Sequence, residues 1–248
     1  MQNIKQKNIT MAKNLLLISN STNAGEAYLG WPRQAIQNYL NKHNIKKVLF
    51  VPYAGVGITY DEYTAKVNNV FTELGFEVEG IHTFADPAKA IHDAQAIAVG
   101  GGNTFHLVYM LHKLKIMNVI KEVVENGKVY MGWSAGSNVA CPALKTTNDM
   151  PIIEPESFNC TALIPFQINP HYLDANPEGH GGETREQRIE EFLQINRDIY
   201  VVGLREATYL LVENNNISLH GSRPMRIFKY GQSAYEVNQG DDINFLLE

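Results

Sequence analysis

From Asn14 to Trp133 the chain repeats one pattern, a short run rich in β-branched and other apolar residues followed by a longer amphipathic stretch. That alternation constrains the fold, because parallel strands need crossovers of a dozen or more residues and helices supply them. The spacing predicts strands at Asn14–Ser19 (NLLLIS), Lys47–Pro52 (KVLFVP), Phe76–Ile81, Ala96–Gly101 (AIAVGG) and Lys128–Trp133 (KVYMGW), most of them closed by Gly or Pro. Apolar residues at helical spacing predict helices over Pro32–Leu40, Asp61–Leu74 and Pro87–Ala94, with two short ones within Thr104–Val124. Past Ser134 the pattern breaks into a Pro-rich, irregular stretch from Pro142 to Pro170 around LIPFQI. A helix then resumes over Arg185–Ile195 and a strand over Ile199–Leu204. From Tyr209 short strands follow, with turns at Asn214–Asn216, Gly221, Gly231 and Gly240. The expected fold is α/β: a mostly parallel central sheet flanked by helices, with antiparallel C-terminal strands added at a sheet edge.

Composition narrows the function classes. The 248 residues suffice for one sizeable core, with 44% hydrophobic and 19% charged residues as in ordinary globular proteins. Residues 1–13 (MQNIKQKNITMAK) are polar and basic, lack the apolar run of a secretory signal, and are expected to be a flexible arm before a single domain over 14–248. Met11 offers an alternative start. A net charge of -5 gives no general attraction to nucleic acid or anionic membrane, and no apolar stretch approaches the length of a membrane span. Cys141 and Cys160 are too few for a disulfide framework and lack C-x-x-C spacing, so a reducing cytoplasm is expected, with both thiols as buried small hydrophobes.

Two glycine-rich turns carry the chemistry. Gly132-Trp133-Ser134-Ala135-Gly136 follows a predicted strand and precedes small residues that can start a helix. In that context the turn lifts the Ser134 hydroxyl clear of the sheet, and the helix N-terminus presents N–H groups to developing negative charge. Gly100-Gly101-Gly102-Asn103-Thr104 has the same setting. Phe105 stands where a dinucleotide fingerprint needs glycine, and no Lys-Ser or Lys-Thr pair makes a P-loop. The loop therefore reads as half of an oxyanion hole, with the N–H of Gly101 and of Ala135 as donors and Gly100 and Asn103 bordering the substrate. A serine nucleophile needs a base, and the chain has eight histidines. His171 stands out because Pro170 stiffens the strand end that carries it; His180, in a glycine-rich loop, reads instead as part of a lid or as a metal ligand. His171, His180 and Glu183 lack a helical zinc pattern, so neither metal nor cofactor is expected. A different class stays open: a flavodoxin-like binding module whose glycine loops hold a phosphate or flavin.

GGGNT at Gly100, GWSAGSN at Gly132, QINPHY at Gln167 and PEGHGGETREQRI at Pro177, taken in order, resemble the peptidase E family of serine peptidases, which also contains cyanophycinase. The resemblance spans nearly the whole chain after Met11. It implies a fold akin to class I glutamine amidotransferases and metal-free hydrolysis of dipeptides with N-terminal aspartate (Asp-Xaa). It implies Ser134 as nucleophile and His171 as base. Two carboxylates match as third member, Glu206 and Asp149; Glu206 is favoured because a strand end is a firmer mount than a loop, which leaves Asp149 to line the pocket. The alternative for Glu206 is an ion pair with Arg205 or Arg185. Arg185 matches the family's reader of the aspartyl side chain, a role suited to a guanidinium that grips a carboxylate with two N–H groups. A β-aspartyl or cyanophycinase-like specificity is the rival within the family. A monomer or homodimer is expected, with a small peptide as the only partner.

Overall fold

The structure is a computed structural model that describes residues 13–176, 178–179 and 181–248, so the expectations for residues 1–12 and His180 lie outside the described residues. Lys13, assigned to the arm, is instead tied through Nζ to Leu163 O at 2.6 Å.

Strands and helices alternate as expected: β1 (Asn14–Ile18), α1 (Arg33–Lys42), β2 (Lys47–Val51), α2 (Tyr60–Glu73), β3 (Glu77–Gly80), α3 (Pro87–Asp93), β4 (Ala96–Val99), α4 (Thr104–Lys113), α5 (Met117–Glu125), β5 (Val129–Trp133) and the short α6 (Ala135–Val139). β6 (Gln167–Pro170), α7 (Arg185–Ile195), β7 (Val201–Leu204), β8 (Thr208–Glu213), β9 (Asn216–Gly221), β10 (Met225–Phe228) and β11 (Tyr235–Val237) complete the chain. Local chemistry sets several boundaries. Thr59 and Glu62 form a reciprocal capping box that starts α2, and Thr184 and Gln187 do the same for α7. The β8–β9 hairpin turns on Asn214 and Asn215, both at positive φ, which asparagine tolerates.

β1 to β5 form the parallel part of a seven-stranded sheet ordered β3-β2-β4-β5-β1-β8-β9, to which β8 and β9 add antiparallel. Along β1 the side chains alternate between two cores. Leu16 and Ile18 face α1 and α2, packing with Ile36, Leu40, Val67 and Phe71. Leu15 and Leu17 face the other way, with Leu107 and Leu111 of α4 and Ile120 and Val124 of α5. The Trp133 ring stacks on Phe50 at 5.7 Å, filling the first core directly beneath Ser134.

The tail departs from expectation in one respect. β8 and β9 do extend the main sheet, but β10 and β11 join β6 and β7 in a second, four-stranded sheet ordered β11-β10-β7-β6. Val201, Val202 and Leu204 are wholly buried, so β7 needs partners on both edges, and β6 (parallel) and β10 (antiparallel) provide them. Pro170 is tolerated because it closes β6 at the sheet's edge. Of the LIPFQI run, only the end from Gln167 becomes strand; Leu163, Ile164 and Phe166 are buried in the core as irregular chain.

Candidate active site

The site lies at the carboxyl ends of the parallel strands, where open α/β sheets place their ligands. Ser134, between β5 and α6, has φ 53° and ψ -111°, a backbone region that costs a non-glycine residue about 1–3 kcal/mol. The surroundings enforce it. Its N–H donates to Ile18 O at 3.0 Å, and its carbonyl accepts from the N–H of Ser137 and of Asn138. Both flanking glycines are sterically required: a Cβ on Gly132 would meet the Gly136 carbonyl at 2.4 Å, and one on Gly136 would meet Val99 O at 2.1 Å.

His171 follows β6, again at positive φ (51°). Its Nε2 is 2.9 Å from Ser134 Oγ and its Nδ1 is 2.8 Å from Glu206 Oε1. The imidazole and the carboxylate are each 39% exposed, so a substrate can reach the pair. Ser19, at the end of β1, locks this geometry from below: its buried hydroxyl accepts from the His171 N–H at 3.0 Å and donates to Leu204 O at 2.7 Å. Asn20 adds a second tie, its Oδ1 accepting from the N–H of Ala207, which sits at φ 62° just past Glu206. Neither Ser19 nor Asn20 was singled out from the sequence; the available signal was a polar pair at the end of an otherwise apolar strand.

Glu206 is not paired with Arg205. That guanidinium is nearly buried and forks onto Asp174 and Glu236, with Pro224 O as a further acceptor. The hydrogen bonds that Arg205 donates to Glu236 and then to Asp174 hold it above even the usual arginine pKa. The clamp joins the segment after His171 to the turn that carries Glu206.

The Gly100–Asn103 loop abuts Ser134, since a Cβ on Gly101 would lie 3.1 Å from Ser134 Cβ. Among the described residues no acceptor takes the N–H of Gly101 or of Ala135, which leaves both available to an oxyanion. Gly100 and Asn103, expected to border the substrate, have other occupations. The Gly100 N–H goes to Val51 O at 3.2 Å, and a side chain there would collide with the Tyr63 hydroxyl at 2.6 Å. Asn103 caps α4 through His106 N and donates from Nδ2 to Met150 O. Tyr63 donates to Gly101 O at 2.9 Å, bracing the loop from behind.

Asp149 does not reach the histidine. Its Oδ2 accepts from the N–H and hydroxyl of Thr104, at 2.7 and 2.6 Å, and from Thr147 Oγ1 at 3.0 Å. Asn148 anchors the same loop to Pro170 O at 2.7 Å, one residue before His171. Arg185 opens α7, half-buried and without an ion pair among the described residues. Burial and then Arg188 depress its pKa, and Asp149 opposes them, so Arg185 and Asp149 lie within each other's field. Cys141 and Cys160 are buried, and desolvation pushes the Cys141 thiol up to about 12 and Cys160 well above its usual value. Neither thiol belongs to this cluster.

A serine on a strained strand-to-helix turn, hydrogen-bonded through an imidazole to a carboxylate, defines a serine hydrolase on an α/β fold. More narrowly, the chain belongs to peptidase family S51, whose model matches residues 15–220. It is 52% identical over 238 residues to peptidase E of Nostoc sp., covering 96% of this chain and 98% of that protein. It is 46% identical over 226 residues to peptidase E of Salmonella paratyphi A, with 91% and 98% covered. The fold also matches the crystal structure of a peptidase from an acI-B1 actinobacterium, with a TM-score of 0.67, 17% identity and coverage of 94% and 97%.

Proposed function

We infer that the chain is a serine dipeptidase that hydrolyses Asp-Xaa through an acyl-enzyme, with Ser134, His171 and Glu206 as its triad. The observation that carries this reading is the continuous hydrogen-bonded line from Ser134 Oγ through His171 to Glu206. His171 Nε2 takes the hydroxyl proton as Ser134 Oγ attacks the aspartyl carbonyl, while Glu206 holds the imidazole with Nδ1–H toward itself and stabilises the imidazolium. The N–H groups of Ala135 and Gly101 receive the oxyanion. The imidazolium then protonates the departing amine, and a water activated by the same imidazole releases aspartate.

Arg185 grips the β-carboxylate of the substrate. Supporting this is its lack of an ion pair among the described residues, because a half-buried guanidinium gains most from an acidic ligand. No helix among the described residues is long and apolar enough to cross a membrane, and buried, unbridged cysteines suit a reducing compartment, so we assign the enzyme to the cytoplasm. The test is a panel of α-Asp-Leu, β-Asp-Leu, Glu-Leu and Asn-Leu. The reading expects α-Asp-Leu to exceed the others in kcat/KM; a preference for β-Asp-Leu would move the chain to isoaspartyl specificity, and cleavage of none would overturn the dipeptidase assignment.

A further inference from the structure

We propose that Asp149 binds the α-ammonium of the substrate, forming with Arg185 a two-sided clamp for an N-terminal aspartate. The inference rests on the Asp-Xaa reading and adds the group that requires the substrate's amine to be free.

A dipeptide brings a positive charge one carbon away from the scissile carbonyl, and a partly desolvated cation needs an anionic partner. Around Ser134 two carboxylates stand out. Glu206 is committed to His171 Nδ1. Asp149 is committed through one oxygen only: three donors converge on Oδ2, whereas Oδ1 accepts from nothing among the described residues. Unlike the amide oxygens of Asn138 and Asn169, Oδ1 is not sealed away from solvent.

The mounting of Asp149 is that of a preorganised ligand group. Its fixed oxygen is held by Thr104, the first residue of α4 and the immediate successor of the Gly100–Asn103 loop that touches Ser134. The neighbouring Asn148 ties the other side of the loop to Pro170 O and to the Asn169 side chain, beside His171. The loop that carries the free oxygen is thus pinned between the start of α4 and the strand end that bears His171. Arg185 shares its field, so a ligand bearing both an ammonium and a carboxylate meets opposite charges in complementary order. A charge-relay role fits this geometry less well, because the carboxylate is turned onto threonines and His171 already has Glu206.

Asp149→Asn isolates the claim. An amide oxygen can keep accepting from Thr104 and Thr147, while the amide NH2 replaces Oδ1 and turns a donor toward the ammonium. The experiment uses the full chain carrying Ser134→Ala, so that binding is read without turnover. Calorimetry compares Asp-Leu with its deamino analogue, succinyl-leucine, in Ser134→Ala and in Ser134→Ala/Asp149→Asn. We expect Ser134→Ala to prefer Asp-Leu by roughly 10- to 100-fold, as for a hydrogen bond between charged groups, and the double variant to lose that preference while retaining its affinity for succinyl-leucine. If Asp149→Asn fails to melt cooperatively, Asp149→Ser, whose hydroxyl can still accept from the Thr104 N–H, takes its place.

Equal losses for both ligands would make Asp149 a structural support of the loop and overturn the proposal. An unchanged preference would place the amine elsewhere and also overturn it. Failure of Ser134→Ala to bind either ligand would instead point to the Asp-Xaa reading itself.

Discussion

Ser134 and Glu206 play different parts in one hydrogen-bonded line, and their substitutions should fail differently. Ser134→Ala removes the nucleophile and should lower kcat for Asp-Leu by roughly 10^3-fold or more with the melting temperature little changed, checked by steady-state kinetics beside a thermal melt. Glu206→Gln keeps a hydrogen-bonding side chain but withdraws the charge that steadies the imidazolium, and should cost about 10^2- to 10^4-fold in kcat with little effect on KM. Arg185→Gln should act on recognition, lowering kcat/KM for Asp-Leu by roughly 10- to 100-fold while leaving Asn-Leu nearly unaffected. Sequence made Ser134 and His171 legible because residues with a unique backbone role stand close by, Gly132 and Gly136 two positions either side of Ser134 and Pro170 just before His171. It did not reveal Ser19 or the Arg205 clamp. A serine at a strand end and an arginine beside two distant acids acquire meaning only when Leu204, Asp174 and Glu236 arrive from remote parts of the chain.

At the scale of elements, the β5–Ser134–α6 turn depends on contact distances that only glycine permits. Gly136→Ala should destabilise the protein by about 3 kcal/mol or more, since Val99 O is backbone of a central strand and cannot easily retreat; urea unfolding will measure it. Asn103→Ala, which strips the α4 cap, should cost about 1 kcal/mol in the same assay. The helices and parallel strands were readable to within a residue or two at most ends, because each helix buries one apolar stripe and each central strand, covered on both faces, reads as an unbroken apolar run. The second sheet was not. β10 (MRIF) and β11 (YEV) are short and interrupted by charged residues, a pattern that suits any sheet edge, and the pairing of β10 with β7 rather than β9 is a tertiary decision with no local signature.

For the molecule as a whole, burial of both thiols predicts that native protein at pH 8 resists a disulfide exchange reagent and that reactivity appears only with unfolding, monitored by thiolate release. A further consequence follows from the division of labour between the sheets. Ser134 stands on the seven-stranded sheet, whereas His171 and Glu206 hang from β6 and β7 of the smaller one, tied to it by the Ser19 hydroxyl, by Asn20 and by a shared core. Hydrolysis is therefore a ruler laid across a seam. A slip of an ångström between the two layers, too small to change helix content or tryptophan burial, disconnects His171 from Ser134. In rising urea, turnover should vanish before either spectroscopic signal moves, and Ser19→Ala should bring that first transition to still lower urea.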